Sequence, residues 1–85
     1  MSANSSSVAG WIEKTPGVIG GDACVRGTRI AVWMLVLASR LGMSDQELRA
    51  RYDPPLTQTD LDAAWEYSKN HPQEIEQAIR EHEDA

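Results

Sequence analysis

Two histidines, one cysteine and thirteen carboxylates are the side chains in this 85-residue sequence suited to acid–base, nucleophilic or metal chemistry. His71 and His82 stand eleven residues apart on either side of a helix start, and Cys24 is remote from both. That spacing fits no zinc site, and no Ser/His/Asp relay is assembled from it. The carboxylates recur at the helical spacing of a solvated face. Gly20-Gly21 lacks the spacing of a phosphate-binding loop and reads as a turn. Catalytic, cofactor and metal residues are therefore assigned to none, and an enzyme is not expected.

The cations suggest other chemistry. Arg26-Gly27-Thr28-Arg29 offers two forked guanidiniums that match phosphate oxygens. A plainer reading is preferred: Gly27 supplies a positive φ, Thr28 caps the first long helix, and Arg29 is fixed to a carboxylate inside the domain. If DNA is bound, Arg26, Arg29, Arg40, Arg49 and Arg51 are the candidate contacts. A recognition helix over about Thr57 to Asn70 would carry Asp60, Asp62 and Glu66, which phosphates repel, so direct major-groove reading by that helix is disfavoured.

These residues need elements to hold them. Met1 to Gly10 is Ser-rich, cannot repay its ordering entropy and reads as a disordered tail. Short strands are expected at Trp11 to Lys14 and Ala23 to Val25, with a Thr15-Pro16-Gly17 turn and Val18-Ile19 between them. Strands this short must pair with the helices or with a second copy. Ile30, Trp33, Met34, Leu37 and Leu41 share one helical face, and Gly42 supplies the stop. Val32, Leu35 and Val36 are apolar on the other side, which makes them the dimer candidates. Ser44 to Glu47 and Thr57 to Asp60 are helix-start boxes, and Pro54-Pro55 separates the helices they open. Pro72 begins a last helix, to about His82, whose apolar stripe is only Ile75, Ala78 and Ile79.

The expected fold is mainly α: a helix-turn-helix (homeodomain-like) three-helix core with a short N-terminal β arm and an extra C-terminal helix. The divisions are 1–10 for the tail, 11–71 for arm and core, and 72–85 for the acidic helix. Eighty-five residues hold one core, and a core so small favours oligomerisation. The longest apolar run, Ile30 to Ala38, is far shorter than the roughly 18 residues of a membrane span. With a lone cysteine and no signal-peptide pattern, a cytoplasmic protein without membrane partners is expected. Net charge is −5, unlike the basic footprint of an autonomous nucleic-acid binder. It is unevenly spread, with +2 up to Arg51 and −7 from Tyr52 onward.

The segments GGDACVRGTRIAV, LGMSDQELRARY, PLTQTDLDAAWEY and NHPQEIEQAI, in that order, resemble the bacterial family called domain of unknown function 433. The likeness covers roughly Ile12 to Ile79. It departs from the family pattern at Asp22, Ala23, Cys24 and Ala31. The resemblance implies a homodimer and the antitoxin member of a type II toxin–antitoxin pair whose partner is similar to a PIN-domain ribonuclease. On this reading the acidic C-terminal helix lies across the toxin's cationic groove, with Ile75, Ile79 and Arg80 as contacts, and the pair represses its own operon at operator DNA. The rival reading of that helix is that it packs back on the domain. A stand-alone dimeric DNA-binding regulator is the alternative function.

Overall fold

The computed structural model describes residues 11–14 and 21–83. The expected tail, the Thr15-Pro16-Gly17 turn and Val18-Ile19 lie outside the described residues. Strand β1 (Ile12–Lys14) pairs antiparallel with β2 (Ala23–Val25), Ile12 opposite Val25 and Lys14 opposite Ala23. Ile12 turns inward while Glu13 and Lys14 face solvent, as a half-buried strand requires. All three residues of β2 are buried. The arm packs on the helices of its own chain.

A tight turn leads from β2 into the first helix. The Thr28 amide donates to the Val25 carbonyl at 3.0 Å, and Gly27 takes a φ of +74° there, which a side chain would resist. Thr28 was expected to cap the helix. Instead its hydroxyl donates to the Val25 carbonyl at 2.8 Å and accepts from the Ile30 amide at 3.0 Å, so it closes the turn. Helix α1 (Val32–Arg40) starts four residues later, beyond the reach of that oxygen, and its N-cap Ala31 makes no side-chain cap. An isolated bridge between Cys24 and Ala31 ties the helix start to β2 instead.

The other signals act as expected. At the end of α1 the Met43 amide reaches the Ala38 carbonyl and the Gly42 amide reaches Ser39, with Gly42 at φ +106°, the paired bonds of a Schellman stop. Helix α2 (Asp45–Arg51) opens on a reciprocal box between Ser44 and Glu47, and α3 (Gln58–Asn70) on one between Thr57 and Asp60. Six residues, Tyr52–Thr57, connect them, longer than the about three or four of a helix-turn-helix link. Helix α4 (Pro72–Glu83) follows α3 after His71 alone.

Helix α1 is the hub, touching α2, α3, α4 and β2. Leu35, Leu48, Leu61, Val25 and Val32 are the largest fully enclosed side chains. The protein is thus a small, mainly helical domain with an N-terminal β arm.

Candidate functional site

Two surfaces have the chemistry to meet a partner: the outer face of α1, and a cleft where the Arg26–Arg29 turn approaches the α2–α3 connector. Among the described residues no group of three or more histidine, cysteine, aspartate or glutamate side chains is placed to grip a metal ion.

The α1 face corrects an expectation. Val32 and Leu35, named as dimer contacts, are wholly buried, and Val36 is half-buried. A helix apolar nearly all round conceals which side faces the core. Here the side bearing Val32 and Leu35 does; Met34, Leu37 and Ala38, only half-buried at the edge of that core, continue to the exposed Leu41 at the i, i+3, i+4, i+7 spacing. Leu41 is 78% exposed, the most open large apolar side chain described.

The five candidate DNA-contacting arginines meet different fates. Arg40 is bound through both terminal nitrogens to the Glu76 carboxylate. Arg26 lies over the Trp11 ring, 4.6 Å from its centroid. Arg51 donates to the Met43 sulfur at 3.5 Å. Arg49 is half-buried, and its Nε is enclosed without a hydrogen-bond partner. Arg29 is exposed and makes no ion pair among the described residues, so the internal carboxylate expected for it is not found. On α3, Asp60 serves the helix cap and Asp62 accepts from Gln58, while Glu66 accepts from Asn70. That surface offers phosphates mainly carboxylates.

Helix α4 packs back on the domain. Ile75 and Ile79, read as toxin anchors, are each only 4% exposed, enclosed by the chain's own core. Arg80 remains exposed. Polar clasps surround the apolar seam. The Tyr67 hydroxyl donates to Glu74, whose carboxylate also takes Lys14 at 3.1 Å, and the His71 ring stacks on Tyr67 with 4.3 Å between centroids. At the far end His82 meets the Trp33 ring at 4.4 Å, and the Trp33 indole N–H donates to Asp22 at 3.0 Å. Burial, then the Glu74 carboxylate, pushes the Tyr67 phenol above its ordinary range, while the same carboxylate raises Lys14. The Arg40 guanidinium holds Glu76 below the usual carboxylate range. Burial, aided by Asp22, pushes the Cys24 thiol up, away from the reactive thiolate.

The cleft escaped the sequence reading. It has a volume of about 420 Å³, within the roughly 300–1,000 Å³ of small-ligand sites. Thr28, Arg29 and Ile30 line it from the turn; Tyr52, Asp53 and Leu56 line it from the connector, and Asp60 from the start of α3. Residues more than twenty positions apart converge there because α1 carries the turn and α2 carries the connector. The visible signal was modest: charged residues beside turn formers in two separate segments.

A family model described as protein of unknown function (DUF433) matches residues 12–68. The crystal structure of a DUF433 member protein from Anabaena variabilis aligns with a TM-score of 0.80 at 43% identity, over 89% of this chain and 74% of that one. Comparison with curated proteins gives no match.

Proposed function

Since the chain belongs to the DUF433 family, whose function is unknown, we propose that it acts by binding protein, as the antitoxin of a PIN-like ribonuclease toxin. The observation carrying this reading is the acidic surface of the C-terminal half. Residues 52–85 hold nine anions and two cations, and Asp62, Glu66, Glu81 and Glu83 are exposed on α3 and α4. A ribonuclease needs a cationic groove to neutralise RNA phosphates, and an acidic surface competes for that groove by charge. Because Ile75 and Ile79 are committed to the core, the contact uses the polar outer face of α4, with Gln73, Gln77 and Arg80. A homodimer joined through the Met34, Leu37 and Leu41 face holds two such surfaces, the toxin complex rather than the free chain meets operator DNA, and the work is done in the cytoplasm. The carboxylates along α3 weigh against a stand-alone DNA regulator.

Co-expression with a PIN-like ribonuclease from the same genome tests this. Growth is expected to be restored, the two proteins to co-purify, and rescue to fail in a stably folded variant with Asp62, Glu66 and Glu81 changed to lysine. Absent rescue, or equal rescue by the variant, overturns the proposal.

A further inference from the structure

The cleft between the Arg26–Arg29 turn and the Tyr52–Leu56 connector is not used by the acidic contact just described. We propose that it receives a basic side chain, arginine in preference to lysine, from an extended segment of a partner polypeptide. The inference deepens the protein-binding reading above and rests on it for the identity of the partner.

Charge and shape carry the argument. Asp53 is exposed and has no hydrogen-bond or ion-pair partner among the described residues. Asp60 uses one carboxylate oxygen, Oδ2, to accept the Thr57 amide at 2.9 Å, which leaves Oδ1 for a further donor. Arg29 lines the same cleft yet pairs with neither carboxylate. With two anions against one cation, the cleft favours a cationic visitor by one charge. The half-buried Tyr52 ring and the apolar Ile30 and Leu56 supply walls against which a flat guanidinium stem packs. Arginine suits this site because its planar group stacks on aromatic rings and forks to a carboxylate, whereas a lysine ammonium is a compact, strongly hydrated point charge. Arg29, meanwhile, repels a second cation and offers donors to a carbonyl or carboxylate further along the visiting segment, which fixes its direction. A nuclease groove lined with basic side chains is a source of such a segment.

Blocked tripeptides test the cleft without any toxin. The ¹⁵N-labelled protein is titrated with acetyl-Leu-Arg-Leu-amide and with the Glu and Ala versions while amide resonances are followed. The arginine peptide is expected to move Thr28, Arg29, Tyr52 and Asp53 selectively. Asp53→Asn, at an exposed position, should retain the spectrum of the folded protein and weaken that binding about tenfold, the scale of one charged hydrogen bond. Unmoved cleft resonances, equal binding of the glutamate peptide, or undiminished binding by Asp53→Asn overturns the inference. Successful peptide binding alongside failed toxin rescue removes the antitoxin reading alone, so the two failures are distinguishable.

Discussion

Replacing Ile79 by alanine is the sharpest probe of how α4 is held. The side chain is 4% exposed, within the core cluster that also contains Ile75. Truncating a buried isoleucine this way costs about 2–5 kcal/mol, from lost transfer energy and the cavity left behind. At roughly 0.05–0.15 kcal/mol per residue, 85 residues yield about 4–13 kcal/mol in total. One methyl-rich side chain thus carries a large share of the stability. Ending the chain after Asn70 removes both isoleucines and uncovers Trp33, so the truncated protein is expected to be largely unfolded. Urea titration followed by tryptophan emission is the assay. With a slope of about 1 kcal/mol per molar for so small a chain, Ile79→Ala should lower the midpoint by about 2 M or more. Glu76→Gln, which breaks only the exposed pair with Arg40, should lower it far less. A midpoint for Ile79→Ala close to that of the parent would refute the claim that this seam holds the helix. Retained folding after truncation would restore α4 as a detachable arm.

Tyr67, its phenol raised by burial and Glu74, stabilises the fold below pH of about 10, and this contribution is lost as the pH rises through its elevated titration. Its phenolate absorbance should therefore appear later than that of the unfolded chain, and alkaline unfolding should shift in Tyr67→Phe. Glu76 has the opposite sign: with its carboxyl lowered by Arg40, its contribution is present at neutral pH and disappears on acidification through the lowered value, so Glu76→Gln should flatten the acid limb of the stability profile. The Cys24 thiol, 3% exposed and raised by burial, should resist a disulfide reagent in the native protein and react in urea; prompt native reaction would contradict its enclosure. Leu41→Lys, at a residue 78% exposed, should leave the thermal midpoint within a degree or two while halving the sedimentation mass, and an unchanged mass would remove the α1 face from any dimer.

Local chemistry made much of this fold legible. The Ser44 and Thr57 boxes, the Gly42 stop and the Pro72 start act through neighbours along the chain, and the helices begin and end where those residues require. Facing was harder to read. Apart from Ser39 and Arg40 in its last turn α1 is apolar throughout, so periodicity alone does not distinguish the Val32 and Leu35 side from the Met34 and Leu37 side; contact with four neighbouring elements decides it. Thr28 has the right residue type for a cap but lies too far before α1, and its hydroxyl goes to the nearer turn. On α4 the thin apolar stripe left docking at home and docking abroad equally open, and the enclosure of Ile75 and Ile79 by the core settles the resting position. The cleft was illegible because it exists only once the two segments that form it are brought together in space.

The joint between the last two helices has a further consequence. His71 stands alone between α3 and α4, with φ −132° and ψ 55°, and its ring lies on Tyr67. The ring of Pro72 crowds the residue before it and disfavours the helical conformation there. Were His71 helical, the two segments would run on as a single straight rod, carrying Ile75 and Ile79 away from α1 and leaving a vacant seat beside Trp33. A second molecule in the same state would fill that seat with its own last helix, and each chain would complete its neighbour instead of itself, the geometry of an exchanged dimer or an open-ended polymer. One imino acid at the elbow biases the chain towards finishing its own core, so any partner it takes is met by a finished surface.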